Sequence, residues 1–238
     1  TTTGTIDAAN YNTGLGVDTF EALTSGDNNT AVGFATLKAN TTGSDNTALG
    51  FEALEANTTG AGNTAIGRRA LEANTTASNN TAVGYKAIDT NTTGADLVGV
   101  GSNALGANST GSNNTAVGKN ALTSNTTGAG NTAVGCIALD AITTTSNNTA
   151  VGHEALTNAT GGSGNTSIGK GTMTADVTGS NNTAVGYTAL QAITSASNSV
   201  AVGHNALVVN TTGKDNTAVG VESMNANVAG ADNVAIGF

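Results

Sequence analysis

Glycine recurs at every seventeenth residue of this chain, from Gly16 to Gly237, without a gap. All 238 residues follow one unit, which reads roughly N-T-A-V-G-x-x-A-L-x-A-N-T-T-G-S-N. A fixed period over a whole chain predicts an array in which each unit stacks on the next. We therefore expect one continuous repeat domain over residues 1–238, with no linker.

Positions in the unit are numbered here as slots, with slot 1 at the Asn before T-A-V-G, as at Asn12 and Asn29. Slot 4 is always aliphatic, and slot 9 is nearly always a larger apolar residue. Slot 2 is usually Thr but becomes Val98, Val200 and Val234, and both residue types favour strands. Alternation with period 2 then predicts that slots 2 and 4 face the core and that slots 3 and 8 face outward.

The turn residues divide each unit into two short strands, near slots 2–4 and 8–11. Glycine at slots 5 and 15 predicts corners, and Asn or Asp at slots 17 and 1 predicts turns. Slot 11, mostly Ala, is expected on the same side as slot 9. Two helices with turns do not fit in 17 residues. The predicted fold is an all-β parallel β-solenoid (β-roll) of about 14 coils.

Slot 12 is Asn in many units, such as Asn40 and Asn57, but it is Leu23, Ile142 or Ile193 in others. A position that exchanges Asn for Ile is expected to face inward. Stacked amides at such a position bond the neighbours above and below. The pattern predicts an internal asparagine ladder.

Composition narrows the function classes. The net charge of −9 disfavours nucleic acid, whose phosphates require clustered Lys and Arg. Cys136 is the single cysteine, so the chain forms no internal disulfide. No apolar run reaches the ~18 residues of a membrane span, so membrane insertion is not expected. The low charge and the abundance of Asn, Thr, Ser and Gly favour an extracellular or cell-surface location, or a virion fibre.

The segments S-V-A-V-G at 199–203 and N-V-A-I-G at 233–237 resemble the S-V-A-I-G signature of trimeric autotransporter adhesin heads. The N-T-A-V-G…A-L…N-T-T-G pattern also resembles repeats of phage tail fibres. The resemblance implies a β-roll, and it implies a trimeric adhesin or tail-fibre binding segment as a function. The 17-residue unit is longer than that of the adhesin heads.

The two ends of the chain are in phase, because residues 1–11 and 233–238 together complete one unit. Uncapped strand edges pair with other edges, and a repeated translation builds an open filament. We expect the coil at one end to be completed by another copy of the chain. Trimming at repeat boundaries is the alternative. The predicted assembly residues are Thr1, Ile6, Tyr11, Asn233, Ile236 and Phe238.

Slots 3 and 8 carry small residues only, which on an outward face predicts the close approach of another surface. Two explanations for these small residues are open: chains pack side by side, up to a trimer, or each coil folds tightly on itself. Slot 6 forms a stripe of aromatic and basic residues. Three roles are open for this stripe: it binds glycans, it packs on a neighbouring chain, or it only covers a thin coil. The stripe includes Phe34, Phe51, Arg68, Tyr85, Lys119, His153, Lys170, Tyr187 and His204.

The candidates for catalysis and those for modification lie on different slots. Lys119, Cys136 and His153 occupy successive slot 6 positions, but no cleft or orienting carboxylate accompanies them, so we expect no enzyme, metal or cofactor. The N-x-Thr triplets on slot 12 are expected to be structural. The predicted glycan acceptors are Asn28, Asn79, Asn113, Asn147 and Asn181 on slot 17, and Thr41, Thr42, Thr58 and Thr59 on slots 13 and 14.

The resulting functional hypothesis is a non-enzymatic structural protein whose partner is itself. It forms an extracellular filament by head-to-tail stacking, with glycan decoration left open. The adhesin or tail-fibre segment is the alternative. Ice binding by threonine ladders is a minor alternative, and the expected inward position of slot 2 argues against it.

Overall fold

A computed structural model describes residues 6–7 and 11–238 of the chain. The chain is a parallel β-solenoid whose coils follow the 17-residue unit. It divides into two compact units, Thr1–Thr127 and Gly128–Phe238. The prediction of a parallel β-solenoid is confirmed.

Unit 1 contains one short two-residue strand followed by seven strands on slots 2–4, β2 also taking in slot 1. In order these are β1 Ile6–Asp7, β2 Asn12–Leu15, β3 Thr30–Val32, β4 Thr47–Leu49, β5 Thr64–Ile66, β6 Thr81–Val83, β7 Val98–Val100 and β8 Thr115–Val117. Strands β2 to β8 pair in parallel, and each residue lies opposite its equivalent in the next coil.

Strand β1 departs from this pattern, because it runs antiparallel to β2 with Ile6 opposite Thr13. The segment before Asn12 was expected to be part of a regular coil, and this expectation is wrong for Ile6–Asp7. Slot 9 of that segment would be Thr3, which lacks the apolar volume of the leucines at the equivalent positions. Thr1 lies outside the described residues.

Unit 2 repeats the same arrangement with seven parallel strands, again on slots 2–4. They are β9 Thr132–Val134, β10 Thr149–Val151, β11 Thr166–Ile168, β12 Thr183–Val185, β13 Val200–Val202, β14 Thr217–Val219 and β15 Val234–Ile236. Successive strands pair in register along this unit as well.

The second predicted strand, at slots 8–11, does not occur among the described coils. Slots 7 and 9 adopt left-handed backbone conformations, as at Lys86 and Ile88, both with φ of 52°. This conformation breaks the alternation of a strand, so that slots 8 and 9 both turn inward. The backbone nevertheless bonds between coils, since Leu54 N donates to Ala70 O at 3.0 Å and Ala56 N donates to Glu72 O at 3.0 Å.

The orientation of the strand residues is the reverse of the prediction. Ala48 at slot 3 is 0% exposed, whereas Leu49 and Ile66 at slot 4 are 47% and 37% exposed. Slot 8 is buried too, as at Ala53, and slot 11 is only half-buried, as at Ala56. Slots 3 and 8 are therefore small because they face the leucines of slot 9 inside a narrow coil, and slots 2 and 4 form the outer face.

The asparagine ladder at slot 12 is confirmed. Asn57 Nδ2 donates to Asn40 Oδ1 at 2.8 Å, and the same bond joins each further pair in unit 1 as far as Asn125 and Asn108, also at 2.8 Å. These side chains are fully buried, so each bond satisfies two polar groups that water does not reach.

Slot 1 forms a second buried asparagine ladder, which the sequence interpretation had assigned to turns. Asn46 N donates to Asn29 Oδ1 at 2.9 Å, and Asn46 Nδ2 donates to Gly60 O at 2.9 Å. Both asparagines are 0% exposed. Slot 1 therefore belongs to the core, and the coil is held by amides on two of its inner sides.

Slots 3 and 9 compensate each other in volume. Slot 3 is Gly99 where the preceding coil has Ile88, in place of the usual leucine, at slot 9. A β-carbon at Gly99 would lie 2.6 Å from Ile88 Cγ1. Similarly, a β-carbon at Gly14 would lie 2.9 Å from a ring carbon of Phe20. At these two places slot 3 lacks a side chain and so makes room for Ile88 of the preceding coil or Phe20 of the same coil. Met173 is accommodated differently, because it is buried while Ser167 occupies slot 3 of its coil.

We expect Gly99→Ala to destabilise the protein by about 1–3 kcal/mol, since overpacking a tight core costs about that much. The double variant Gly99→Ala/Ile88→Leu restores the Ala–Leu pair of the other coils and is expected to recover most of the loss. Urea unfolding followed by circular dichroism measures both. Strictly additive effects of the two substitutions would contradict the compensation.

Candidate functional site

The outer sheet face is the first candidate surface, defined here by the side chains of slots 2 and 4 on β2–β8 and on β9–β15. In unit 1, Leu49, Ile66 and Val117 are at least 36% exposed although they are aliphatic. In unit 2, Val134 and Ile168 are exposed to the same degree. Threonines such as Thr64 run beside them on slot 2. Each unit thus presents an aliphatic ladder next to a hydroxyl ladder.

Comparison of the repeats shows that slot 4 is constrained despite its exposure. It is Val, Ile or Leu in all units, whereas slot 7 holds Asp18, Arg69, Asn103 and Ile137 in different coils. A preference for strand-forming residues alone does not explain this, because Thr has the same preference and fills slot 2. Slot 4 therefore keeps apolar side chains at an exposed position, which makes the outer sheet face a candidate contact surface.

The slot 6 stripe of unit 1 is a stacked column. The Phe34 and Phe51 ring centroids are 5.2 Å apart with an interplanar angle of 15°. The Arg68 guanidinium lies 5.4 Å from the Phe51 ring centroid and 5.9 Å from that of Tyr85. Because the rings face one another along the column, their edges and not their faces meet solvent. This geometry disfavours stacking of sugar rings on the stripe and favours its role as cover for the coil.

The stripe of unit 2 is less regular. Tyr187 and His204 stack with centroids 5.5 Å apart, and His153 Nδ1 lies 3.5 Å from Glu154 Oε2. Cys136 and Lys170 are exposed, as is Lys119 at slot 6 in unit 1. Within unit 2, the described side chains of slot 6 thus form one aromatic pair rather than a continuous column.

A charged band on slots 7 and 10 of unit 1 was not anticipated as a cluster. Arg69 donates two hydrogen bonds to Glu72, with Nη2 to Oε1 at 2.7 Å, and Glu52 Oε2 lies 3.7 Å from Arg69 Nε. Lys86 Nζ lies 3.4 Å from Asp89 Oδ2. Burial, reinforced by a hydrogen bond with Glu72, raises the pKa of Asp89. Slots 7 and 10 meet because of the left-handed turn that the sequence did not reveal.

Three carboxylates of this band, on Glu52, Glu55 and Glu72, come within 4.8 Å of one another. Burial, followed by repulsion from Glu52, raises the pKa of Glu55. Arg69 forms ion pairs with both Glu52 and Glu72, and the three carboxylates leave the cluster with an excess of negative charge. Two of its members already have a cationic partner, and we assign no metal to it.

The predicted glycan acceptors separate into two environments. All five slot 17 asparagines are exposed, whereas the slot 12 asparagines of the same triplet type are buried, as at Asn40. Thr41 and Thr58 donate their hydroxyls to the carbonyls of Thr58 and Thr75 in the next coil, each at 3.0 Å. Thr42 and Thr59 are exposed, and modification of these threonines stays a prediction.

Four of the predicted assembly residues, Tyr11, Asn233, Ile236 and Phe238, are exposed. Tyr11, Ile236 and Phe238 are 78%, 80% and 96% exposed, and Asn233 donates from Nδ2 to Asn216 Oδ1 at 3.0 Å. Contact between the ends of two copies stays a prediction.

No protein-family model matches the chain, and no curated protein matches it. The part of the chain that the structure describes holds no helix with the length and hydrophobicity that a membrane crossing requires.

Proposed function

We propose that the protein is a non-enzymatic structural subunit of an extracellular fibre, in which copies associate side by side through the outer sheet face. The single observation that carries the proposal is the exposed aliphatic ladder at slot 4, which is Val, Ile or Leu in every repeat. Head-to-tail stacking, predicted from the repeat, remains a second contact of the same proposed fibre.

The size of the face fits a self-association of moderate strength. A three-residue strand spans about 10 Å and coils lie about 4.8 Å apart, so each coil offers about 50 Å². The seven parallel strands of either unit thus offer about 350 Å², and a stable interface buries about 800 Å² per partner. The face of one unit is less than half of this size, which supports a reversible association.

A second copy of the chain is the partner that fits this face. Slots 2 and 4 carry no charged residue in any coil, so two copies bring no like charges together. Their ladders also share one spacing along the chain, which lets Val pack on Val over many coils. Charged partners have no complementary group here, because the charged side chains lie on other slots, chiefly 6, 7, 10, 16 and 17.

We expect the triple variant Ile66→Lys/Val83→Lys/Val100→Lys to sediment as a monomer, while the unaltered chain sediments as a dimer or a larger assembly. Association would bury three ammonium groups without partners, and the cost of removing them from water prevents contact through this face. The control Asn103→Lys/Asn120→Lys/Thr123→Lys adds the same charge on slots 7 and 10, where lysine already occurs, and should still associate. An unaltered chain that is monomeric at every concentration overturns the proposal.

Two further outcomes separate the alternatives. The sedimenting mass distinguishes a dimer from the trimer implied by the adhesin and tail-fibre resemblance. Ice binding is a second candidate, because the threonines of slot 2 face solvent instead of the core, as at Thr47. A monomeric chain that shows thermal hysteresis, abolished in the triple variant, would favour ice binding over the fibre.

A further inference from the structure

We propose that Asn28, Asn79, Asn113, Asn147 and Asn181 carry N-linked glycans, placed on one corner of the coil at intervals of two or three coils. Each begins an N-N-T triplet, and each is exposed. The many N-T-T triplets of slot 12 are buried within the asparagine ladder, so the accessible acceptors are the slot 17 set and the exposed N-A-T triplet at Asn158, whose Nδ2 donates to Thr174 O at 2.9 Å. This inference does not rest on the proposed lateral association.

The backbone at slot 17 projects the side chain out of the coil. All five asparagines adopt a left-handed conformation, with φ between 58° and 61°. From Asn28 to Asp232 the slot holds Asn, Asp or Gly only, which are the residues that this conformation favours. The conformation explains why Asn is accepted at the corner, but it does not explain in which coils Asn occurs.

The distance between successive acceptor asparagines is large enough for a glycan on each of them. Successive acceptors are 34 or 51 residues apart, which is two or three repeats, and none occupies neighbouring coils. Neighbouring coils are only about 4.8 Å apart, which is narrower than a pyranose ring with its hydroxyls. Two glycans on adjacent coils would collide, whereas a gap of about 10 Å or more accommodates both.

The coil of Asn198 is an exception that supports the explanation of the spacing. Asn198 follows Asn181 on the next coil, and it is the single case of two slot 17 asparagines in succession. There the triplet reads N-S-V, because Val200 replaces the usual threonine. The acceptor motif is therefore absent at the one place where two glycans would stand on adjacent coils.

The local contacts leave the reacting atom accessible. A β-carbon at Gly164 would lie 2.7 Å from Asn181 Oδ1, so this oxygen faces the preceding coil. Asn79 is placed in the same way beside Gly62, at 2.9 Å. The amide nitrogen Nδ2 therefore points towards the next coil. There Asn79 donates to Asp96 at 3.3 Å and Asn28 donates to Asp45 at 3.1 Å, and both bonds are exposed to solvent.

The reaction requires a glycosyl donor carried on a lipid diphosphate. Nδ2 of the asparagine attacks the anomeric carbon of the sugar, and a C–N bond forms. The C–O bond to the diphosphate breaks, the lipid diphosphate leaves with the bonding electrons, and a base takes one proton from Nδ2. The threonine of each triplet lies on slot 2, as Thr81 does for Asn79, so both parts of the motif are on the surface.

The test is glycopeptide mapping of the full chain, both as isolated from its source and as secreted by a host that N-glycosylates. We expect sugar on the slot 17 acceptors and none on Asn40 or the other slot 12 residues. Thr81→Val should remove one glycan mass, at Asn79, without disturbing the fold, because slot 2 is already valine at Val98.

The sharpest variant is Val200→Thr, which creates an N-S-T triplet at Asn198. We expect Asn181 and Asn198 to be occupied alternatively and not in the same molecule. Unmodified slot 17 asparagines in both preparations, or sugar on the slot 12 asparagines, overturn the inference. Frequent double occupancy of Asn181 and Asn198 refutes the explanation of the spacing.

Discussion

Gly101→Ala is expected to lower the free energy of unfolding by about 2–6 kcal/mol, as strain and overpacking each cost about 1–3 kcal/mol. Gly101 closes slot 5 with φ of +132°, a conformation that side chains rarely adopt. A β-carbon there would lie 2.6 Å from Gly118 O, in the backbone of the next coil. The substitution therefore both strains the corner and separates two coils. Urea unfolding followed by circular dichroism measures the loss.

Gly106→Ala is the matched control in the same coil. Gly106 has no left-handed φ, and a β-carbon there would lie 3.2 Å from its nearest neighbour, Asn103 O. Other coils carry Glu, Lys or Asp at this slot. We expect a change within about 1 kcal/mol, since a tolerated Gly→Ala exchange also restricts the unfolded chain. Equal effects of the two substitutions would show that the corner is not specifically strained.

Asn91→Asp is expected to cost about 3–5 kcal/mol at neutral pH, the range for an uncompensated buried charge. Asn91 Nδ2 donates to Asn74 Oδ1 at 3.1 Å and to Gly94 O at 2.9 Å. A carboxylate would turn an oxygen towards these two acceptors at a position that is 0% exposed. Thermal unfolding of the variant measures the loss.

The pH dependence follows from the same burial. In the Asn91→Asp variant, desolvation raises the pKa of the introduced carboxyl in the folded state above its unfolded value, so the folded variant holds its proton more tightly. The variant is then closest to the unaltered protein below the unfolded pKa, and it loses stability as the pH rises through the folded pKa. A loss that is independent of pH would contradict this account.

Asn91→Ile is the control for this position. Isoleucine occurs at the same slot at Ile142 and Ile193, so its volume fits the coil. It leaves the amides of Asn74 and Asn108 without their partner, which costs about 1–3 kcal/mol and does not vary with pH. The difference between the two variants therefore isolates the charge.

The repeat predicted the fold but not the direction in which the strand faces. The period and the turn residues were enough to place β3 to β15 and the slot 12 ladder. The alternation along a strand establishes only that slot 3 lies on the face opposite to slots 2 and 4. It does not establish which of the two faces is buried. The larger residues of slot 4 do not enter the core, because Leu54 and its equivalents at slot 9 already fill it and leave room only for small residues at slot 3.

The candidate surfaces were partly predictable for the same reason. The exposure of slot 17 followed from its turn residues, and the slot 6 stripe was recognised as a surface feature. The outer sheet face was missed, because slot 4 was assigned to the interior. The ion-pair band of Arg69 and Glu72 was missed because it depends on left-handed residues at slots 7 and 9, for which ordinary side chains carry no sequence signal.

The compensating pair of Gly99 and Ile88 has a consequence for how the chain finds its native alignment. Because the coils are nearly identical, an alignment that skips one coil would restore almost the same hydrogen bonds between the two coils on either side of it. If the coil that holds Ile88 were skipped, Gly99 would face the leucine of another coil and a methyl-sized void would form. If the coil that holds Gly99 were skipped, an alanine at slot 3 would collide with Ile88. Such irregular pairs therefore disfavour misaligned stacking of coils that are otherwise nearly identical, and so they help to specify the native register.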